Sequence, residues 1–210
     1  IPTKSLLASA LRWRAARAGA EVGLPAIPGP GDFSVVRRRW EKVVADLGTG
    51  LQRQLQAAKI EVRRGDARLV APREVVVHGN EPVRGKAILI ATGSVPAVPK
   101  NIELVPDRVI TSDGVWALTR VPARILILGG GGIGCEFATA FTDLGSAVTL
   151  IEAQPRLLPG MDEDLSVTLA RAFKKQGIAV RTGTTVANAA VTGETVTAEL
   201  KTEAKAETWT

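Results

Sequence analysis

Six consecutive residues, Gly129-Gly130-Gly131-Gly132-Ile133-Gly134, constrain this 210-residue chain more than any others. They fit the pattern G-x-G-x-x-G. They follow the unbroken apolar run Ile125-Leu126-Ile127-Leu128 and open a series at helical spacing, Ile133, Phe137, Ala140, Phe141 and Leu144, that stops at Gly145. A buried strand, a sharp turn and a helix satisfy all three stretches. In such a unit Gly129 permits the reversal, Gly131 lets backbone approach a pyrophosphate, and Gly134 lets the helix lie close on the sheet. The helix N-terminus then faces the anion with unpaired N–H groups.

The residues downstream agree with a dinucleotide unit. A strand is expected over 147–151 with Glu152 at its tip, a helix over 162–176 closed by Gly177, and a strand over 178–181, giving the order β-α-β-α-β. A carboxylate at the position of Glu152 accepts hydrogen bonds from both ribose hydroxyls of an adenosine and repels a 2′-phosphate, which points to NAD rather than NADP. Two further strands are expected over 185–191 and 195–200 around Gly193, followed by a polar tail.

Upstream, Leu7, Ala10, Leu11 and Ala18 recur at helical spacing after Ser5, and the Gly/Pro-rich residues 23–31 read as a loop. Asp32 or Ser34 caps a second helix with the stripe Val36, Trp40, Val43, Leu47, Leu51, Leu55 and Ala58. Short strand-like runs follow at 60–62, 67–70, 75–77 and 87–90, separated by turns that include Gly79-Asn80, and form a small sheet. Pro96, Pro99 and Pro106 mark an extended connector with a domain junction in or just after it.

Composition excludes several classes of function. With 45% hydrophobic and 23% charged residues, disorder is excluded, and the apolar stretch 125–135 is far too short to cross a bilayer. The net charge of +6 is local: residues 1–73 carry 14 Lys/Arg against 6 Asp/Glu, whereas residues 74–210 carry 13 against 15. The cluster Arg37-Arg38-Arg39 lies among Val35, Val36, Trp40 and Val43, as on the polar side of a helix, so no nucleic-acid partner is expected. Trp13, Trp40, Trp116 and Trp209 are scattered and read as core or termini. Cys135 is the only cysteine, so there is no internal disulfide, cysteine-based metal site or redox dithiol, and it reads as a small helix residue. His78 reads as a solvated turn residue. Glu136, placed by spacing in the first turn of the glycine-motif helix, is open between a dipole-stabilised carboxylate and a functional one.

Beyond these local readings, Ile1-Pro2-Thr3-Lys4 resembles the segment just after the redox-active cysteine pair of the pyridine nucleotide-disulfide oxidoreductases, and Ala91-Thr92-Gly93-Ser94 resembles their second flavin motif. The resemblance continues through Thr111-Ser112-Asp113, the glycine motif, Glu152, Arg156-Leu157-Leu158-Pro159 and Gln176-Gly177-Ile178, and is nearest to the members that oxidise dihydrolipoamide. It implies an α/β, Rossmann-like FAD/NAD(P)-binding fold. Residues 1–112 would be part of an FAD domain and residues 113–210 an NAD domain truncated at its C-terminal end.

The resemblance also implies roles. Lys4 would lie beside the reactive edge of the flavin, Ala67 would make a backbone contact to FAD, and Thr92, Gly93 and Ser94 would form the flavin-contacting turn. Gly129, Gly130, Gly131, Gly132, Ile133, Gly134, Cys135 and Glu136 would form the NAD loop, with Glu136 meeting Lys4. Glu152 would hold the ribose and Val186 would make an apolar contact near NAD. The redox cysteines, the first and third flavin segments and the His-Glu-bearing interface domain of that family are not among these residues, so the chain reads as an internal fragment, inactive alone. Its parent would be a homodimer of the cytoplasm, or of the mitochondrial matrix in a eukaryote. It would pass electrons from a small-molecule or lipoyl-domain dithiol through a disulfide and FAD to NAD, without a metal. NADP-linked glutathione or mercuric reductases, a soluble transhydrogenase and a non-catalytic dinucleotide-binding module are the alternatives.

Overall fold

The apolar run before the glycines forms β4 (Arg124–Leu128), the first strand of a three-stranded parallel sheet with β5 (Ala147–Ile151) and β6 (Ala179–Arg181). This is a computed structural model that describes residues 2–25, 32–79 and 81–210. The sheet runs in the order β4-β5-β6, with Arg124 opposite Ala147 and Thr149 opposite Ala179. Helices α3 (Gly132–Leu144) and α4 (Glu163–Lys175) make the crossovers. Both faces of β4 are packed at its central residues Ile125, Leu126 and Ile127, which is why this run is apolar rather than alternating. Ile125 and Ile127 pack on the core that contains Phe141, Leu144, Leu150 and Phe173, whereas Leu126 packs on a second cluster of Ile151, Ala198 and Leu200. Ala198 and Leu200 of that cluster come from an antiparallel sheet of β7 (Thr185–Thr192), β8 (Thr195–Lys201) and β9 (Ala206–Trp209).

Two compact units divide the chain, Ile1–Val44 with Pro96–Thr210, and Ala45–Val95. The first holds the sheets just described and α1 (Pro2–Arg17), which packs along α3 with Leu6 and Ala10 fully buried. This division by compactness cuts across the ligand-based division at 112/113, because α1 shares its core with α3. Within the first unit an aromatic series, Phe33, Trp40, Trp116, Phe137 and Phe141, stacks with ring centroids 5.4 to 6.2 Å apart. Trp40 and Trp116 are thus core residues, as their scatter implied. The second unit carries an antiparallel sheet of β1 (Ala67–Ala71), β2 (Glu74–Val77) and β3 (Val83–Arg84). Helix α2 (Phe33–Ala57) begins in the first unit and ends in the second.

Several expectations need correction. In α1 the buried stripe runs through Leu6 and Ala10, and Leu11 is exposed. Asp32 is the residue that caps α2: its carboxylate accepts the Ser34 N–H at 2.9 Å, and the Ser34 hydroxyl first and this N–H second hold the acid below the usual carboxylate range. Of the α2 stripe Trp40 is buried, but Leu47 and Leu51 are at least half exposed. Residues 60–62 and 87–90 form no strand; Leu89 is 91% exposed, and the third strand of that sheet is Val83–Arg84 instead. A strand needs a partner, and the apolar runs found none. Conversely, the polar tail contains β9, held by Trp209, whose indole N–H donates to Thr149 Oγ1 at 3.3 Å and whose ring lies beneath the Arg124 guanidinium. The expected loop at 26–31 and Asn80 of the Gly79-Asn80 turn lie outside the described residues. Among the described residues no helix is long and apolar enough to cross a membrane.

Candidate functional site

The glycine loop joins β4 to α3 at the C-terminal edge of the parallel sheet. Gly129 has φ of 104°, a conformation that side chains resist. At Gly134 a Cβ would fall on the Gly129 carbonyl oxygen, so the helix can start this close to the strand only with glycine there. Gly131 and Gly132 differ: both are exposed, and a Cβ on either would meet nothing within 4 Å. Helix α3 caps on Gly131 without a side-chain cap, and its first internal bond is Cys135 N–H to Gly131 O at 3.0 Å. The N–H groups of Gly132, Ile133 and Gly134 therefore have no partner within the helix. An open loop of small residues at a helix N-terminus with unspent donors suits a phosphate group.

Glu152 lies beneath this loop, only 8% exposed. Its Oε2 accepts the Gly130 N–H at 2.6 Å and its Oε1 accepts the Gln154 N–H at 2.7 Å. A carboxylate has about four lone-pair sites, so two remain for other donors. Gly130, an unspecified position of the motif, is also constrained. A Cβ there would stand 2.6 Å from Leu157 Cδ2 and 2.9 Å from Glu152 Cβ. Its carbonyl accepts the Leu158 N–H at 2.9 Å and the Cys135 thiol at 3.3 Å.

Glu136 stands beyond the first turn of α3, which contains no acidic residue, so the dipole reading of its role is corrected. Its Oε1 instead accepts a hydrogen bond from Lys4 Nζ of α1. Cys135 is buried, and burial together with the Glu152 carboxylate pushes its thiol up to about 11, leaving little thiolate at neutral pH. A second contact joins the same two helices: Arg14 Nη1 lies 3.1 Å from Asp143 Oδ1. Burial raises the Asp143 carboxyl above its ordinary range, and Arg14 opposes the rise. A cleft of about 340 Å³ beside this pair, lined also by Arg17, Thr142 and Gln176, contains none of the residues expected to act.

Val186 is half-buried on β7, packed with the Ile151 cluster, and its carbonyl accepts Asn101 Nδ2 at 3.0 Å where the strand register shifts. In the second unit Ala67 opens β1 opposite Val77, and Thr92, Gly93 and Ser94 are exposed, with Gly93 at φ of 79°. His78 occupies a turn, as expected. Among the described residues no group of three or more His, Cys, Asp or Glu side chains is placed to hold a metal ion.

Sequence patterns did not reveal the roles of Gly130, Leu157 and Leu158 in shaping the loop. The only signal was the run Arg156-Leu157-Leu158-Pro159, to which no function attached.

Compared with known proteins, residues 1–209 match the family model described as pyridine nucleotide-disulphide oxidoreductase. The chain belongs to this family. Its members are flavoprotein disulfide oxidoreductases with a Rossmann-like fold, and this chain is close to the dihydrolipoyl dehydrogenases among them. It is 35% identical over 209 residues to the dihydrolipoyl dehydrogenase of Chlorobaculum parvum, covering 98% of this chain and 45% of that protein. It is 37% identical over 191 residues to the dihydrolipoyl dehydrogenase of Thermus scotoductus, covering 88% and 40%. The chain thus spans less than half the length of these relatives. Among solved structures, LpdA of Mycobacterium tuberculosis superposes with a TM-score of 0.81 at 22% identity over 99% of this chain and 46% of that one, a likeness of fold. The HOCl-induced flavoprotein disulfide reductase RclA of Escherichia coli superposes with a TM-score of 0.75 at 27% identity, covering 99% and 44%.

Proposed function

We propose that this chain is the NAD-binding and part of the FAD-binding portion of a dihydrolipoyl dehydrogenase, with residues 1–112 serving the flavin and residues 113–210 the nicotinamide cofactor. The observation that carries the reading is the pairing of an open glycine loop with the buried carboxylate of Glu152 directly beneath it. The spare donors at the start of α3 fit a pyrophosphate, and the two unused lone-pair sites of Glu152 fit ribose hydroxyls. A 2′-phosphate beside that carboxylate would meet like charge, which favours NAD over NADP. The ion pair of Lys4 with Glu136 favours a flavin-linked enzyme over a bare dinucleotide-binding module, since such a module has no use for a lysine on a separate helix.

In the whole enzyme FAD supplies two-electron transfer between a disulfide and a nicotinamide. Gly131, Gly132 and Ile133 bind the dinucleotide phosphates through backbone N–H groups, and Glu152 orients the ribose. Lys4, Ala67, Thr92, Gly93 and Ser94 would hold the flavin, with Gly93 offering a bend whose α-carbon faces open space. Val186 offers an apolar contact. Net, dihydrolipoamide or a lipoyl-domain dithiol is oxidised to its disulfide while NAD accepts two electrons and one proton, the second proton going to solvent. The parent acts in the cytoplasm as a homodimer. These 210 residues, whose single cysteine is buried, carry no dithiol and do not turn over dihydrolipoamide by themselves.

Calorimetric titration of the chain with NADH and NADPH tests the reading, with a dihydrolipoamide:NAD assay alongside. The expected result is NADH binding at least tenfold tighter than NADPH, roughly 1.4 kcal/mol, and no turnover. Equal affinities, or none for either cofactor, would overturn it.

A further inference from the structure

Helix α4 reaches the glycine loop through a short strap, residues 157–161. Ser166 of α4 is only 3% exposed, and its hydroxyl donates to the Leu157 carbonyl. Leu157 is itself buried and fills the space under Gly130. The next residue, Leu158, is held at φ of 49°, a left-handed conformation that costs a branched side chain energy and needs support from its surroundings. The support is visible: the Arg156 guanidinium donates to Met161 O at 2.9 Å and Pro159 O at 3.1 Å, and the Met161 N–H closes back on Leu158 O at 2.8 Å. In this conformation the Leu158 N–H points at the Gly130 carbonyl, 2.9 Å away.

A peptide unit is planar and trans, so its C=O and its N–H point in opposite directions. Drawing the Gly130 carbonyl inward onto Leu158 therefore turns the Gly131 N–H outward, to the open side of the loop. We propose that Ser166 is a positioning residue: by holding Leu157 it delivers the Leu158 N–H to Gly130 and so aims the Gly131 N–H at the anion that the loop receives. The nature of that anion, a dinucleotide pyrophosphate, rests on the function proposed above.

The test compares Ser166→Ala with Ser146→Ala. Ser146 is also buried, and its hydroxyl donates to Pro122 O at 2.6 Å beyond the far end of α3, so its loss removes a similar bond without touching strap or loop. In amide-resolved NMR of the 210-residue chain, Ser166→Ala should move the Gly131 resonance and speed solvent exchange of the Leu158 N–H, which is bonded to Gly130 O, whereas Ser146→Ala should leave both unchanged. NADH affinity should fall about five- to tenfold in Ser166→Ala alone, the scale of one misdirected hydrogen bond. A Gly131 amide indifferent to Ser166→Ala, or disturbed equally by Ser146→Ala, would overturn the inference. Failure of the unaltered chain to bind NADH would instead sink the dinucleotide reading, and the amide comparison would still decide the role of Ser166.

Discussion

Lys4, in the first turn of α1, and Glu136, in the second turn of α3, form an ion pair between residues 132 positions apart in the chain. The lysine side chain is 73% exposed and the glutamate 34%. Ion pairs this open contribute ~0.2 to 1 kcal/mol at most, so the contact does not explain the packing of α1 on α3, which rests on Leu6, Ala10 and their neighbours. Lys4→Ala and Glu136→Gln should each change unfolding free energy by less than ~1 kcal/mol in urea titration. Leu6→Ala, in contrast, should cost ~2 to 5 kcal/mol. A large loss from either charge variant would make the pair structural and weaken its proposed place beside the flavin.

Gly131 and Gly134 should respond oppositely to alanine. Gly131 has extended backbone and open space around its α-carbon, so Gly131→Ala should fold normally while the new methyl obstructs an approaching phosphate. At Gly134 the methyl meets the Gly129 carbonyl, and the variant should lose ~1 to 3 kcal/mol of stability or more. Thermal unfolding and NADH titration of the two variants check this. A destabilised Gly131→Ala with normal binding would contradict the assignment of the open side.

Glu152 serves two backbone N–H groups, which changes what its replacement should do. Glu152→Arg removes both acceptors from under the loop as well as the negative charge. Each hydrogen bond to a charged group is worth ~1.5 to 3 kcal/mol, so the variant should be destabilised by several kcal/mol and bind neither NADH nor NADPH well. Glu152→Gln retains one acceptor oxygen, and NADH affinity should fall about tenfold, with a smaller loss of stability. A simple exchange of NAD for NADP preference in Glu152→Arg, with stability unchanged, would show that the loop does not depend on this carboxylate.

Asp143 should give stability a pH dependence of unusual sign for a carboxylate. Burial raises its acid range in the folded chain despite Arg14. The folded state therefore holds this proton more tightly than the unfolded state. Its contribution is most favourable below the unfolded value near 3.8 and is lost as pH rises through the higher folded value. Asp143→Asn, which is neutral at every pH, should gain on the unaltered chain between pH 4 and pH 7. Arg14→Ala leaves the buried carboxylate without its counter-charge and should be costlier at pH 7 than at pH 4. Urea unfolding at the two pH values decides, and a flat difference for both variants would refute the assignment.

Much of the nucleotide-type unit was legible along the chain because its determinants are local. Glycines at 129 and 134 are required by a backbone turn and by a close approach between residues five apart, and Asp32 caps the helix that it precedes. The order of strands and helices from 124 to 181 follows from period and punctuation alone. Pairing and burial are different in kind, because they depend on what the rest of the fold brings alongside. Residues 87–90 look like a strand but have no partner, while the polar segment 206–209 becomes one because β8 offers an edge and Thr149 and Arg124 receive Trp209. Leu47 and Leu51 share a stripe with Trp40, yet only Trp40 finds a core. The same holds at the site: spacing pointed to Glu152 as a ribose carboxylate, but its grip on Gly130, 22 residues away, arises where two parallel strands end side by side. Hydrogen bonds and apolar contacts act over a few ångströms in space, so a motif specifies the loop, and its supports emerge only when the crossovers have folded.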